Sequence, residues 1–139
     1  MSGFSKYLAQ QILNHTLLAV PFPTVVSHQI ALFTSDPLDV VQNEVSAPWY
    51  SRQTCDAWSA PEEVGTNGTA YKTTNDLAVS FGPVTGDPIT VTHWGIVDGL
   101  NATSLLYSGT IIGGAVDLYA GDTLGFAQGG LTVQLDITE

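Results

Sequence analysis

Basic side chains are scarce in this chain. Lys6, Arg52 and Lys72 stand against thirteen acids in 139 residues, and the formal charge is −10. Nucleic-acid binding needs a basic footprint on the phosphates, so a nucleic-acid partner is excluded. An anionic membrane surface is disfavoured for the same reason. Cysteine is nearly absent too. Cys55 is alone, so no intrachain disulfide can form, and a lone cysteine reads as a small buried hydrophobe. No apolar run approaches the roughly 18 residues of a membrane span. The first twenty residues lack the basic start and small-residue cleavage site of a secretion signal, so nothing marks the chain for export. The sequons at Asn14, Asn67 and Asn101 therefore carry little weight. The acids are scattered, with Glu62-Glu63 the single adjacent pair, and read as solubility and mutual repulsion.

What is present is a globular composition. Hydrophobic residues make up 44% and charged residues 12%, which opposes disorder and predicts a surface rich in uncharged polar groups. The length suits one domain with a substantial core. "SGFSKYLAQQILNHTLL" is the one helix candidate. Ser2 or Ser5 can cap it, Phe4, Leu8 and Ile12 fall on one face with Tyr7, and Pro21 and Pro23 stop it. Such a helix must pack on its own sheet or on a neighbouring subunit.

Beyond Pro23 the pattern changes to short runs between turn residues: "SHQIALFTS", "WYSRQTCDAW", "DLAVSFGPV", "ITVTHWGIV", "SLLYSGTI", and two or three runs after residue 114. "DLAVSFGPV" places Leu77, Val79 and Phe81 on one face. The last run is the clearest, with Leu131, Val133, Leu135 and Ile137 alternating with polar neighbours. No helical segments separate these runs, so a parallel α/β fold is disfavoured. The expectation is a mainly β protein: an antiparallel β-sandwich, jelly-roll or Greek-key like, over residues 23–139, with one N-terminal α-helix and linker over 1–22. The turn-rich stretch 59–76 reads as a surface loop or flap.

The candidate chemistry is thin. In "VTHWGIVDG", strand alternation puts Val91, His93, Gly95 and Val97 on one face and Thr92, Trp94, Ile96 and Asp98 on the other. Both faces carry apolar groups, which predicts a strand covered on both sides. His93 and Asp98 face opposite ways, and Asp98-Gly99 reads as a turn. His15, His28 and His93 lie in separate elements without metal-ligand spacing. There is no G-x-S-x-G elbow and no phosphate loop. No cofactor, no metal and no enzymatic activity are expected. Trp49, Tyr50 and Trp58 lie close to Arg52 in sequence. They read either as cross-strand aromatic pairs or as a face for stacking sugar rings. Arg52 is expected to meet a buried or interfacial carboxylate, which its planar fork suits.

The order of "FSKYLAQQILNHTL", "IALFTSDP", "EVSAPWYSRQ", "VTHWGIVDG", "LLYSGTI" and "AGDTLGFAQGGLTVQLD" resembles small tail-fibre-like virion structural proteins of tailed bacteriophages. The resemblance covers nearly the whole chain. "APWY", where relatives carry glycine, and the stretch 59–76 are local departures. The resemblance implies a non-enzymatic virion protein made in the host cytoplasm. Two placements follow from it. One is a capsid decoration (cement) protein, a homo-oligomer with a trimer favoured, stabilising the head by contacts with the major capsid protein or other virion proteins. The other is a tail-fibre, baseplate or tail-tip component in host attachment. In either case function lies in interfaces, for which Phe4, Leu8 and Ile12, then Trp49 and Arg52, then His93 and Trp94 are the candidates.

Overall fold

The computed structural model describes residues 2–65 and 70–136, and side chains from Ser5 onward. The sequon at Asn67, the Phe4 side chain and Ile137 lie outside what is described. The fold is mainly antiparallel β with a single N-terminal helix, and its open sheets are arranged as a sandwich.

The first layer is a five-stranded sheet in the order β1-β9-β8-β2-β3. Its members are β1 (Ser2–Phe4), β9 (Leu105–Thr110), β8 (His93–Asp98), β2 (His28–Phe33) and β3 (Gln53–Thr54). The second layer is assembled from small sheets: β12 (Thr132–Asp136) with β5 (Ala70–Thr74) and β4 (Glu62–Val64), β11 (Leu124–Phe126) with β6 (Val79–Phe81), and β10 (Val116–Leu118) with β7 (Ile89–Val91).

Alternation along the central strands divides the apolar side chains between two sides. Ile30, Leu32, Trp94, Ile96 and Leu106 point into the main core, where Val79, Phe81, Val91, Leu118, Leu131 and Val133 of the second layer meet them. Ala31, Phe33, Val97 and Leu105 point the other way and form a smaller cluster with Val41 packed on it. The strand β8 is thus covered on both faces, as its composition requires. Close approach explains its glycines. A Cβ on Gly95 would lie 2.8 Å from the Phe33 ring and 2.9 Å from Leu105, and one on Gly109 would lie 2.9 Å from the Trp94 indole.

Four local expectations are corrected. The helix α1 (Lys6–Leu18) starts only after Ser5, whose Oγ accepts from the Leu8 amide at 3.0 Å. The backbone amide of Ser5 is taken by the Leu106 carbonyl, so the chain before it, Phe4 included, runs as an edge strand beside β9. Leu77 does not share the face of Val79 and Phe81. It precedes β6 and is 51% exposed, because the chain turns at Asn75. Val91 belongs to the main core with Trp94 and not to the side of Val97. The strand breaks at Thr92, whose amide bonds Phe33 and whose carbonyl bonds Ile111, so the alternation changes phase there. Finally, the described parts of the stretch 59–76 are largely strand. The stretch holds the antiparallel pair β4 and β5, and β5 continues the sheet through β12. Its Thr and Tyr residues suit a half-buried strand, a signal masked by the surrounding turn formers.

Candidate functional site: an apolar groove and two polar clusters

A groove of about 550 Å³ opens between the two layers. Its floor is Ile96, Leu106 and Tyr107 of the five-stranded sheet. Leu8 of α1 with Phe22 and Val25 of the linker forms one wall. Tyr71 and Thr73 of β5 with Val133 and Leu135 of β12 forms the other. The rim is polar or aromatic: His28, Asp56, Trp58 and Lys72. The volume falls in the range of small-molecule sites, which are typically apolar with a few placed polar groups.

At the rim, the first residue of β2 meets the end of β3. The His28 amide donates to Asp56 Oδ1 at 2.6 Å, and the Cys55 amide donates to the His28 carbonyl at 2.8 Å. The imidazole Nδ1 lies 3.6 Å from the same Asp56 oxygen, too far for a hydrogen bond, and has no other partner. Trp58 is held by its Nε1–H donating to the Cys55 carbonyl at 2.9 Å. Lys72 pairs loosely with Glu62 at 3.4 Å, and the Tyr71 hydroxyl donates to Glu63 at 2.9 Å. The groove therefore offers flat rings, aliphatic walls and, at one end, a ring nitrogen with unused bonding capacity beside a carboxylate.

The second cluster centres on Glu44. Arg52 grips it with both arms, Nε to Oε1 and Nη2 to Oε2, each at 2.8 Å, and its Nη1 donates to the Ala102 carbonyl at 3.0 Å. The Tyr50 hydroxyl donates to Glu44 Oε1 at 2.7 Å and accepts from the Leu32 amide at 3.1 Å. Burial pushes the Glu44 carboxyl up, but the bonds from Arg52 and Tyr50 outweigh it and hold the group below its usual value. Burial, then the bond to Glu44, raises the Tyr50 phenol well above its ordinary value. Arg52 has thus found the carboxylate its fork suits, within its own chain. This network ties the segment after β2 to the turn before β9, and every charged group in it is paired.

A third cluster is buried outright. Asn75 is fully inaccessible. Its amide nitrogen donates to the carbonyls of Leu77 and Ala127, at 2.7 and 3.0 Å, and its side-chain oxygen accepts from the Leu131 amide at 2.8 Å. It joins the turn before β6 to the one before β12.

The structure separates most of the residues singled out from sequence. Leu8 is buried and lines the groove, while Ile12 is half-buried on the same helix. Trp49 stands edge-on to Tyr50 at 6.0 Å, and Tyr50 stacks on Phe81 at 6.1 Å. Trp49 also borders a separate cleft against residues 85–89, whereas Trp58 belongs to the groove rim, so the three aromatics do not form one face. His93 is half-buried, with Nδ1 2.7 Å from the Thr92 hydroxyl, and Trp94 is core. Asp98 accepts from the Leu100 amide at 2.9 Å, which is turn geometry. Among the described residues no cluster of His, Cys, Asp or Glu could hold a metal ion. His28, Asp56 and Tyr71 escaped sequence reasoning because they lie on different elements and share no spacing.

The described residues form a mainly β body with one short helix and an apolar groove; the comparison with protein families gives the class, a structural component of the bacteriophage particle. The chain belongs to the family described as podophage GP4 fiber I protein gp80, whose model matches residues 3–134 and so takes in both layers and the groove. No curated protein matches it.

Proposed function

We propose that this protein is a non-enzymatic component of a phage tail fibre, and that its groove is the point of contact with a saccharide of the host surface. The observation that carries the placement is the family match across residues 3–134 with a fibre protein. The groove supports the second half. Trp58 and Tyr71 offer ring faces on which a sugar can stack, and the exposed Asp56 carboxylate and Lys72 ammonium at the rim can accept from and donate to its hydroxyls.

Immunogold electron microscopy on intact virions tests the placement. Label confined to the tail agrees with the fibre reading. Label spread over the head overturns it in favour of capsid decoration. Binding of the purified protein to host cells tests the groove. Tyr71→Ala, at an exposed ring of the groove, should weaken it sharply while leaving the thermal melt nearly unchanged, and unaltered binding by that variant would remove the groove from the account.

A further inference from the structure

Residues 7–35 contain no Asp, Glu, Lys or Arg, although the chain as a whole carries sixteen such groups and a net charge of −10. Much of this segment is also apolar and uncovered. Leu13 is 58% exposed, Leu17 75%, Leu18 70% and Val26 61%. Leu13 and Leu17 recur at i and i+4 on one face of α1, the spacing of a helix-to-helix contact, and Leu18 stands beside them before the helix ends. The opposite side of α1 is already engaged, since Leu8 is buried in the groove wall. The helix is thus apolar on both sides, and only one side is satisfied within the chain.

We infer that this outer stripe is an interface between copies of this chain, seamed by Leu13 and Leu17 and flanked by Leu18 and the linker. The charge distribution selects the occupant. Two copies carry the same excess of acid, so they meet at least cost where neither presents a charge, and the exposed part of this segment, α1 beyond Lys6 and the linker before β2, is such a place. A different, basic partner would be bound by the acids elsewhere on the surface and would gain nothing from a charge-free patch. Exposed aliphatic side chains gathered on one element mark an interaction surface more often than chance exposure does. The interface lies on the helix's far side from the groove, so association leaves the groove wall in place. The inference requires only the purified chain and stands apart from where on the particle the protein sits.

Light scattering on the full-length protein across a dilution series reads it directly. The expected mass is a multiple of 14.7 kDa, and added salt, by screening the repulsion between copies, should strengthen association. Leu13→Glu with Leu17→Glu should give a folded monomer, since both positions are exposed in the single chain. Ile112→Glu, at a site 90% exposed elsewhere on the surface, should leave the oligomer intact. A monomeric wild-type protein overturns the inference. So does an oligomer that survives the double substitution, one that Ile112→Glu also dissolves, or one that salt takes apart.

Discussion

The strand β8 and the second half of α1 are made of similar aliphatic material and meet opposite fates. In β8, Trp94, Ile96 and Val97 are 5%, 3% and 0% exposed, while in α1 Leu17 and Leu18 stand almost free. The difference is one of coverage. A strand in the middle of a five-stranded sheet has neighbours on both edges, and here the second layer covers one face and a smaller apolar cluster with Val41 the other. A single helix laid beside a sheet edge touches the body along one side only. The same hydrophobicity therefore serves the interior of one copy in the first case and is left for contact between copies in the second. Substitutions should separate the two regions by what they change: the body loses stability, the helix loses association.

The largest effect is expected at Asn75. Asn75→Ala removes three hydrogen bonds, leaving the Leu131 amide and the Leu77 carbonyl without the side chain that meets them while Ala127 keeps its bond from the Gly130 amide, for a loss of roughly 3 kcal/mol in chemical denaturation. A loss below about 1 kcal/mol would mean that water replaces the side chain and that the joint is not structural.

Next comes Arg52→Ala, which breaks the bidentate grip on Glu44 and should cost about 2 kcal/mol, less than for a fully buried pair because both partners keep some solvent contact. The pH dependence follows from the lowered Glu44 value. A depressed carboxyl contributes fully above its unfolded value and loses that contribution as the pH falls through its folded value. The gap between the wild-type and Arg52→Ala melts should thus be widest at neutral pH and close in acid. A gap that stays constant into strong acid would show that packing, and not the ion pair, sets the cost.

A smaller gain is expected at the helix end. Ala19 closes α1 at φ 55°, a left-handed conformation that a side chain opposes, and the Val20 amide bonds back to the Asn14 carbonyl. Ala19→Gly should stabilise the monomer by up to about 1 kcal/mol, and a destabilised variant would argue that the cap relaxes in solution. The smallest stability effect belongs to Leu17→Glu. It should move the unfolding free energy of the monomer by no more than about 0.5 kcal/mol. A large loss would mean that Leu17 is packed within the chain, which would undo the contrast between the two regions.

The kind of fold and its outline are legible in local patterns of the chain. Period-two alternation at Leu131 and Val133, the two-faced apolar pattern of "HWGIV", the Ser5 cap and the absence of intervening helices are local signals, and they translate directly into strands and one helix. The scarcity of cations and the order of the motifs were equally legible. The rest depends on long-range packing. The partner of Arg52 is a carboxylate eight residues back, brought there when the chain returns beside β2. The break at Thr92 depends on backbone bonds to Phe33 and Ile111, which no local pattern encodes. Asn75 reads as an ordinary turn residue until residues 127 and 131 arrive beside it. The groove draws its lining from α1, the linker, three strands of the first sheet and two of the second layer, so each of its residues is unremarkable in its own segment. Local sequence sets the direction of each side chain through its own backbone, whereas which side chains share a space depends on contacts between residues far apart in the chain.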